Sequence, residues 1–443
     1  MKISPARQAA FEILLRIENE NSYSSILLSV FEEKLSVKDS ALCHEITLGV
    51  LRNRILIDRW IGCLTSKKLD KVDSEVLTAL RIGVYQIYML DKIPHYSAIN
   101  ESVNLVKAAK KRSAGGFVNA ILRRAQKGKP ELIFRDEIEK ISVETSTPRW
   151  LTERWVAQFG FEETRKIAEA NSTPPPTYVR LTKRFHQSVD EAKAAILEVL
   201  AEISVPQDYI QLPDDCYLVR KGNEKLRQFA TAGLVYFQDS ASIMVADLAP
   251  GNGRENILDL CASPGSKTSR IAAGQQTGRF VVSGDLYESR TALLKDNLER
   301  QLIIDPVIVQ YDAEKSLPFP NEAFDTVLVD SPCSGTGTIR RNPEIKYFLN
   351  EQDIHSLSRK QLNILKNASK VIKPGGRLIY STCSLESDED ENVVSEFLAS
   401  DVRFRPAKIP INERFLTQRG YARTFPHRDN TDGFFVAVMG REA

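Results

Sequence analysis

The stretch ILDLCASPGSKT at residues 257–268 decides the fold class of the chain's C-terminal part. Its apolar start is typical of a short β-strand, and the Pro264-Gly265 turn then opens a helix whose first amides can face a ligand. The stretch is neither a P-loop nor the G-x-G-x-x-G motif of dinucleotide-binding proteins. It predicts a strand-turn-helix unit with a ligand loop at the carboxyl end of the strand.

Similar strand patterns recur after this stretch, and each is followed by a helical or turn segment. They are Phe280–Val282, Val307–Val309, Thr326–Val329 and Arg377–Tyr380. This alternation predicts a Rossmann-like, doubly wound parallel sheet in a domain spanning residues 241–443. A final apolar run at residues 433–439 would add an edge strand or an inserted strand.

Acidic residues stand where successive predicted strands end, at Asp285, Asp312 and Asp330. Asp285 lies 20 residues past Gly265, where a carboxylate can accept both ribose hydroxyls of an adenosine. A single acid at a strand end is more often a solvated group or a helix cap. Three in succession favour a ligand site at this edge of the sheet.

Two cysteines follow the last two strands of the series, Cys333 in DSPCSGTG and Cys383 in STCS. Both thiols therefore reach the same rim of the predicted sheet. All six cysteines stand singly, without a C-x-x-C pair or the spacing of a structural zinc site. We predict reduced thiols and no metal site.

The motifs CASPGSKT, DSPCSGTG and STCS, in this order, resemble those of the RNA cytosine carbon-5 methyltransferases, and the whole layout resembles the RsmB (Sun/Fmu) family. The resemblance covers nearly the whole chain. It implies S-adenosylmethionine as cofactor, small-subunit ribosomal RNA as partner, and methylation at cytosine 967 of 16S rRNA. Ser266 departs from the family's usual C-A-[AS]-P-G-G-K-T, where a second glycine stands; a serine narrows the backbone freedom but keeps the turn possible.

The resemblance also implies roles for individual residues. The implied cofactor-binding residues are Cys261, Ala262, Ser263, Pro264, Gly265, Ser266, Lys267, Asp285, Asp312 and Asp330. Cys383 would add to carbon 6 of cytosine, because a thiolate there turns carbon 5 into a nucleophile. Cys333 would assist release, and Asp330 would neutralise charge at ring nitrogen 3. The residues alone leave open which thiol attacks, because DNA cytosine methyltransferases attack with their Pro-Cys motif.

The N-terminal part has apolar residues at helical spacing and predicts an all-helical bundle over residues 1–130. In the family resemblance this is a NusB-like RNA-binding domain. Between Glu101 and Glu131 it carries eight uncompensated positive charges, which favour a phosphate-binding surface over a solvated helix face. They are Lys107, Lys110, Lys111, Arg112, Arg123, Arg124, Lys127 and Lys129. Arg340 and Arg341, just past the Cys333 motif, are further candidates for RNA phosphates.

A small α/β domain is predicted between these two parts, over residues 145–240. Its β-like runs are at residues 178–181, 217–219 and 234–237, with a helical segment at residues 192–200. Residues 127–145 are polar and mixed in charge, which is typical of a linker.

Composition limits the class of protein. The chain has 443 residues, 42% apolar and 27% charged, enough for several buried cores. Sixty Lys and Arg against 58 Asp and Glu give a formal charge of +2, so RNA binding must depend on local clusters. Without a signal peptide or a long apolar run, we expect a soluble, cytoplasmic protein that makes no membrane contact. We also expect a monomer.

Two alternatives remain open from the sequence. The enzyme could methylate transfer RNA, as related enzymes do. The helical domain could instead be the main functional part, an RNA-binding module beside an inactive catalytic domain. Retention of Asp330, Cys333 and Cys383 argues against the second alternative, because a scaffold needs none of them.

Overall fold

The computed structural model describes residues 3–205, 212–220, 224–250, 254–275 and 280–443. The chain forms two compact units: Met1–Pro174 with Ile339–Phe348, and Pro175–Thr338 with Leu349–Ala443. The predicted domain boundaries (1–130, 145–240 and 241–443) stay a prediction. The two units divide differently from them, at Pro174, and residues 339–348 belong to the first unit although they lie inside the predicted catalytic domain.

The elements are numbered in chain order. The helices are α1 (Pro5–Glu20), α2 (Ser24–Glu32), α3 (Val37–Arg52), α4 (Arg54–Leu64), α5 (Ser74–Met89), α6 (His95–Ala108), α7 (Gly115–Ala125), α8 (Glu137–Glu144), α9 (Arg149–Phe159), α10 (Phe161–Asn171), α11 (Lys183–His186), α12 (Asp190–Ile203), α13 (Glu224–Thr231), α14 (Ser240–Asp247), α15 (Ser266–Ala273), α16 (Glu288–Arg300), α17 (Ile345–Phe348), α18 (Glu351–Val371), α19 (Glu391–Ser400) and α20 (Pro426–Asp429). The strands are β1 (Thr177–Leu181), β2 (Cys216–Val219), β3 (Val235–Phe237), β4 (Ile257–Asp259), β5 (Val281–Asp285), β6 (Val307–Gln310), β7 (Phe324–Asp330), β8 (Ile372–Thr382), β9 (Phe404–Pro406), β10 (Ala422–Arg423) and β11 (Phe435–Arg441).

Over its described residues, from residue 3 onward, the regular structure of the first unit is helical, which confirms the predicted bundle. Helix α1 begins at Pro5, where a missing N–H costs nothing, and buries one stripe that contains Ala6, Ala10 and Ile13. That stripe packs against α3 and α5. Helix α5 is almost wholly buried, and its Arg81 guanidinium is neutralised there by Asp58 and Glu18.

The linker expected at residues 127–145 contains helix α8, so that expectation is wrong for its second half. The carboxylate of Asp136 caps the helix by accepting a hydrogen bond from the Glu139 amide at 2.6 Å. Ile141 and Val143 are buried. A polar, short helix with only two buried apolar side chains has too little periodicity to stand out from a linker in the sequence.

The second unit contains two sheets among its described residues. The smaller has the order β2-β1-β3, with both pairs antiparallel, and covers its core with α12 and α13. This confirms the small α/β part of the predicted fold. Buried residues from strands and helices share that core, among them Val179, Ile196 and Leu226.

The larger sheet has the order β10-β11-β8-β7-β4-β5-β6, with β9 paired to β11. Strands β8, β7, β4, β5 and β6 run parallel, and β11 lies antiparallel between β8 and β10. The Rossmann-like prediction is therefore confirmed, and the final strand is inserted. Strands β9 and β10 were not predicted, because each is short and lacks the apolar run that marks β3 and β4. The chain order reverses beside β4, so the ligand crevice is expected at the carboxyl ends of β4, β5 and β7.

Within the described ranges, no helix combines the length and the apolar character that a membrane span requires.

Candidate active site

The loop after β4 turns at Gly265, which has a φ of 97° and directly precedes α15. This positive φ favours glycine, and a Cβ atom here would lie 2.7 Å from Leu294 Cδ1, so a side chain would also displace Leu294. Ser266 is the first residue of α15 and has no such constraint. The departure from the family motif therefore falls at a position where serine fits.

The β4 strand ends on Asp259, a fully buried carboxylate that is not among the predicted site residues. It accepts a hydrogen bond from Thr268 Oγ1 at 2.7 Å, which ties the strand end to α15. Burial raises the pKa of Asp259 to about 7, and the hydrogen bond from Thr268 offsets only part of that effect. Asp259 therefore carries a proton in much of the population at neutral pH.

Asp285 ends β5 and has its carboxylate largely buried. Its Oδ1 atom accepts hydrogen bonds from the Leu286 amide at 2.8 Å and from Arg290 Nε at 2.7 Å. Its Oδ2 atom accepts one from the Ser263 amide at 3.1 Å. Since two carboxylate oxygens offer about four acceptor positions, one position on Oδ2 remains for a ligand. The prediction that Asp285 accepts two ribose hydroxyls would require Arg290 to move.

Asp312 lies two residues past the end of β6, at the mouth of the same crevice. Its Oδ1 atom accepts a hydrogen bond from the Glu314 amide at 3.0 Å, and Lys315 Nζ lies 3.2 Å from Oδ2. The hydrogen bond from the Glu314 amide and the contact with Lys315 outweigh the small effect of burial and lower the pKa of Asp312. It is therefore available as an ionised acceptor.

Lys267, on the first turn of α15, and Asp330, the last residue of β7, form an ion pair. Lys267 Nζ lies 2.5 Å from Asp330 Oδ2, and Ser381 Oγ donates to Asp330 Oδ1 at 2.8 Å. Burial alone would lower the pKa of Lys267, but the charge of Asp330 and its hydrogen bond outweigh burial and raise it. The lysine is therefore a cation that faces the carboxylate inside the protein.

The two thiols predicted to share one rim are in contact. Cys333 Sγ lies 3.3 Å from Cys383 Sγ. The hydrogen bond with Cys383 and burial raise the pKa of Cys333 well above its ordinary value. At neutral pH Cys333 therefore keeps its proton and can donate a hydrogen bond to Cys383.

These groups surround one cavity of about 320 Å³ in the second unit. Its wall includes the predicted residues Cys261, Ser263, Asp285, Asp312, Asp330, Cys333 and Cys383. The other predicted residues of the loop do not line the cavity: Ala262, Pro264, Gly265, Ser266 and Lys267. Among the residues that line it without having been predicted are Leu286, Tyr287, Arg290, Lys360 and Ile364. Leu286 and Tyr287 directly follow Asp285, a position that could have signalled them.

The predicted RNA-binding residues of the helical region lie in the first unit. Lys110, Arg112, Arg123 and Arg124 are exposed, and Lys107 is half-buried. Lys111 Nζ lies 2.9 Å from Asp73 and 3.8 Å from Glu75, so the expectation that its charge is uncompensated is wrong. Those acids come from the start of α5, far from the basic segment in sequence, and the local charge count did not include them.

Arg340 and Arg341 also belong to the first unit, within residues 339–348. Arg340 is buried, and its guanidinium donates to the Pro174 carbonyl at 3.1 Å. Arg341 is half-buried. Their assignment to RNA phosphates stays a prediction.

Comparisons with known proteins identify the family. The model of the 16S rRNA methyltransferase RsmB/F matches residues 245–440, the NusB family matches residues 4–127, and a ferredoxin-like domain of RsmF/B-like methyltransferases matches residues 147–204. The chain is 32% identical to the probable ribosomal RNA small subunit methyltransferase B of Bacillus subtilis, and the match covers all of both chains. This chain belongs to the RsmB/F family of 16S rRNA methyltransferases.

Two further proteins are similar to this chain over its full length. The ribosomal RNA small subunit methyltransferase B of Erwinia tasmaniensis is 31% identical, again over the full length of both chains. The crystal structure of PH0851 has a TM-score of 0.81 and 25% identity, with both chains fully covered. The predictions of an RNA methyltransferase and of a NusB-like N-terminal region are confirmed.

Proposed function

We propose that this RsmB/F member transfers a methyl group from S-adenosylmethionine to carbon 5 of a cytosine in small-subunit ribosomal RNA, through a covalent bond between Cys383 and carbon 6. The observation that carries the proposal is the contact of the two thiols, 3.3 Å apart, on the wall of the cavity that Asp285 and Asp330 also line. A cysteine with only a packing role needs neither a second thiol nor a nearby carboxylate.

The cavity fits the cofactor by size and by chemistry. About 320 Å³ lies within the range of small-molecule sites, and Leu286, Tyr287 and Ile364 offer apolar walls for a flat base. Asp285 keeps one free acceptor position for a ribose hydroxyl. When bound, S-adenosylmethionine supplies an electrophilic methyl group. Asp285, Asp312 and the loop residues Cys261 and Ser263 would hold it.

The thiol pair is compatible with Cys383 as the nucleophile, the role that the family resemblance implies. Two thiolates 3.3 Å apart would repel each other strongly, so one of the two sulfur atoms keeps its proton. With Cys383 as the attacking thiol, the role that the family resemblance implies, Cys333 is the protonated partner, and its S–H can donate a hydrogen bond to the attacking sulfur. The thiolate forms a bond to carbon 6 and leaves carbon 5 as a nucleophile. Once Cys383 is bound to carbon 6, Cys333 no longer faces a thiolate and would release its proton to solvent. Its thiolate would then accept the carbon-5 proton, the double bond between carbons 5 and 6 would re-form, and Cys383 would leave as a thiolate.

Asp330 and Lys267 would neutralise the charge that addition places on the ring. Asp330 lines the cavity, and Lys267 Nζ lies 2.5 Å from its Oδ2 atom. The Lys267 ammonium would pass its proton to Asp330, and Asp330 would pass a proton to ring nitrogen 3 of cytosine, which leaves a neutral lysine and an ionised carboxylate. This role requires the lysine to start as a cation, as its raised pKa makes it.

For the target we propose cytosine 967 of 16S rRNA, the position that the family resemblance implies. The names of the two full-length relatives support a small-subunit target over transfer RNA. Bisulfite sequencing of ribosomal and transfer RNA, with and without the gene, tests this choice. Loss of methylation in transfer RNA alone, when the gene is absent, would favour the alternative substrate.

Substitution of each thiol tests the mechanism. Cys383→Ala should abolish methyl transfer and leave cofactor affinity unchanged, because its thiol acts on the base. Cys333→Ala should permit addition and methylation but slow release, so a covalent protein–RNA adduct should accumulate on denaturing gels. Near-normal turnover by Cys383→Ala would refute the nucleophile assignment, and no shifted band with Cys333→Ala would refute the release role.

A further inference from the structure

The carboxylate of Glu389 lies between the loops that carry the two thiols. Glu389 follows β8 in a turn and is completely buried. Its Oε1 atom accepts hydrogen bonds from the Ser334 amide at 2.8 Å and from Gln361 Nε2 at 3.0 Å. Its Oε2 atom accepts hydrogen bonds from Ser384 Oγ, at 2.6 Å, and from Ser334 Oγ. Ser334 and Ser384 are the residues that directly follow Cys333 and Cys383.

The hydrogen bonds of Glu389 match the number of acceptor positions it has. Four donors meet two carboxylate oxygens, which offer about four positions, and all four donors are neutral groups of the protein. A buried carboxylate with a full set of donors is held in one orientation. No position remains for a ligand, so Glu389 acts on the protein's own loops.

The loop of Cys333 is fixed on both sides of the cysteine. Gln361 Nε2, which donates to Glu389, also donates to the Pro332 carbonyl at 3.0 Å. Pro332 precedes Cys333, and Ser334, held by Glu389, follows it. The neighbouring carboxylate of Asp390 contacts Thr382, which precedes Cys383. Of these two buried acids, Glu389 is the one that contacts both cysteine loops.

We propose that Glu389 is a positioning residue that sets the separation of the two thiols by joining Ser334 to Ser384. The inference rests on the proposed function, because the separation matters only if both thiols act on one base. Glu389 does not line the cofactor cavity and touches no reacting atom. Its loss should therefore lower turnover without altering cofactor binding.

The test combines Glu389→Gln with two measurements, steady-state methyl transfer and the rate at which diamide joins Cys333 to Cys383. In the oxidation each thiol gives up one proton and one electron, and diamide takes up the two protons and two electrons to become a hydrazine. Peptide mass mapping quantifies the disulfide. The substitution replaces an acceptor oxygen with an NH₂ group that faces donors. We expect oxidation to slow at least fivefold and kcat to fall at least tenfold, with KM for S-adenosylmethionine within twofold of wild type.

Glu344→Gln is the matched control, since Glu344 is also a buried carboxylate and accepts hydrogen bonds from the amide and hydroxyl of Ser24 in the first unit. Glu344→Gln should change neither the rate of methyl transfer nor the rate of oxidation by diamide. If Glu389→Gln fails to fold, Ser334→Ala with Ser384→Ala removes two donors, and the double variant should slow oxidation in the same direction. Wild-type oxidation rates in the soluble variant would overturn the inference. If Glu389→Gln slows the oxidation but the wild-type protein methylates no RNA, only the proposed function is overturned.

Discussion

Replacing Asp285 by alanine should weaken S-adenosylmethionine binding by about 2 kcal/mol. The structure leaves one acceptor position on Asp285 Oδ2, because Leu286, Arg290 and Ser263 fill the others. One hydrogen bond from a ribose hydroxyl to a charged acceptor contributes about 1.5–3 kcal/mol. A loss of about 2 kcal/mol corresponds to a dissociation constant raised roughly 30-fold.

Isothermal titration calorimetry of the full chain measures this change directly. Asp296→Ala is the control, because Asp296 lies on α16 as an exposed acid outside the cavity wall. Arg290→Ala provides a second arm. Removing Arg290 frees a second acceptor position on Oδ1, so cofactor affinity should stay within threefold of wild type or increase.

Two results would refute this explanation. An Asp285→Ala dissociation constant within twofold of wild type would show that the carboxylate only organises the Ser263 and Leu286 amides. Arg290→Ala weakening binding as much as Asp285→Ala would show that the guanidinium holds the cofactor or the carboxylate in place. A thermal melt of each variant separates loss of binding from loss of fold.

Two further predictions concern RNA binding and pH. Reversing the exposed Arg123 to Glu should weaken RNA binding and lower the slope of log affinity against log salt by about 0.7–0.9, whereas Lys111→Glu should change the slope less, because Asp73 already neutralises Lys111. Affinities across a salt series check this, and equal slopes would contradict it. Burial holds the pKa of Asp259 at about 7, above its ordinary value near 3.9, so the folded protein keeps a proton that the unfolded chain releases between these values. The free energy of unfolding of wild type, relative to Asp259→Asn, should therefore fall by on the order of 2–4 kcal/mol from pH 4 to pH 8. Urea unfolding at both pH values measures it, and a constant difference would show that Asp259 does not titrate in this range.

Local patterns in the sequence were sufficient for the architecture. The helical spacing of Ala6, Ala10 and Ile13 predicts one buried face of α1, and that face is buried. The apolar runs of the C-terminal part predict the parallel strands β4 to β8, because a strand covered on both sides needs continuous apolar residues. The same pattern predicts that acids and cysteines which follow these strands lie close together, since the carboxyl ends of parallel strands meet at one edge of the sheet.

Distant pairings were decided by the tertiary structure alone. Lys111 pairs with acids at the start of α5, and Lys267 pairs with Asp330. Glu389 accepts hydrogen bonds from Ser334 and Ser384. The predicted fold class does not specify these partners, because they depend on the distance and orientation of side chains from separate elements. Residues 339–348 belong to the helical unit for the same reason. Glu344 accepts a hydrogen bond from the Ser24 amide, and the Tyr347 hydroxyl donates one to the Leu51 carbonyl. Periodicity is a property of one segment, whereas hydrogen bonding and charge compensation are properties of the packed chain.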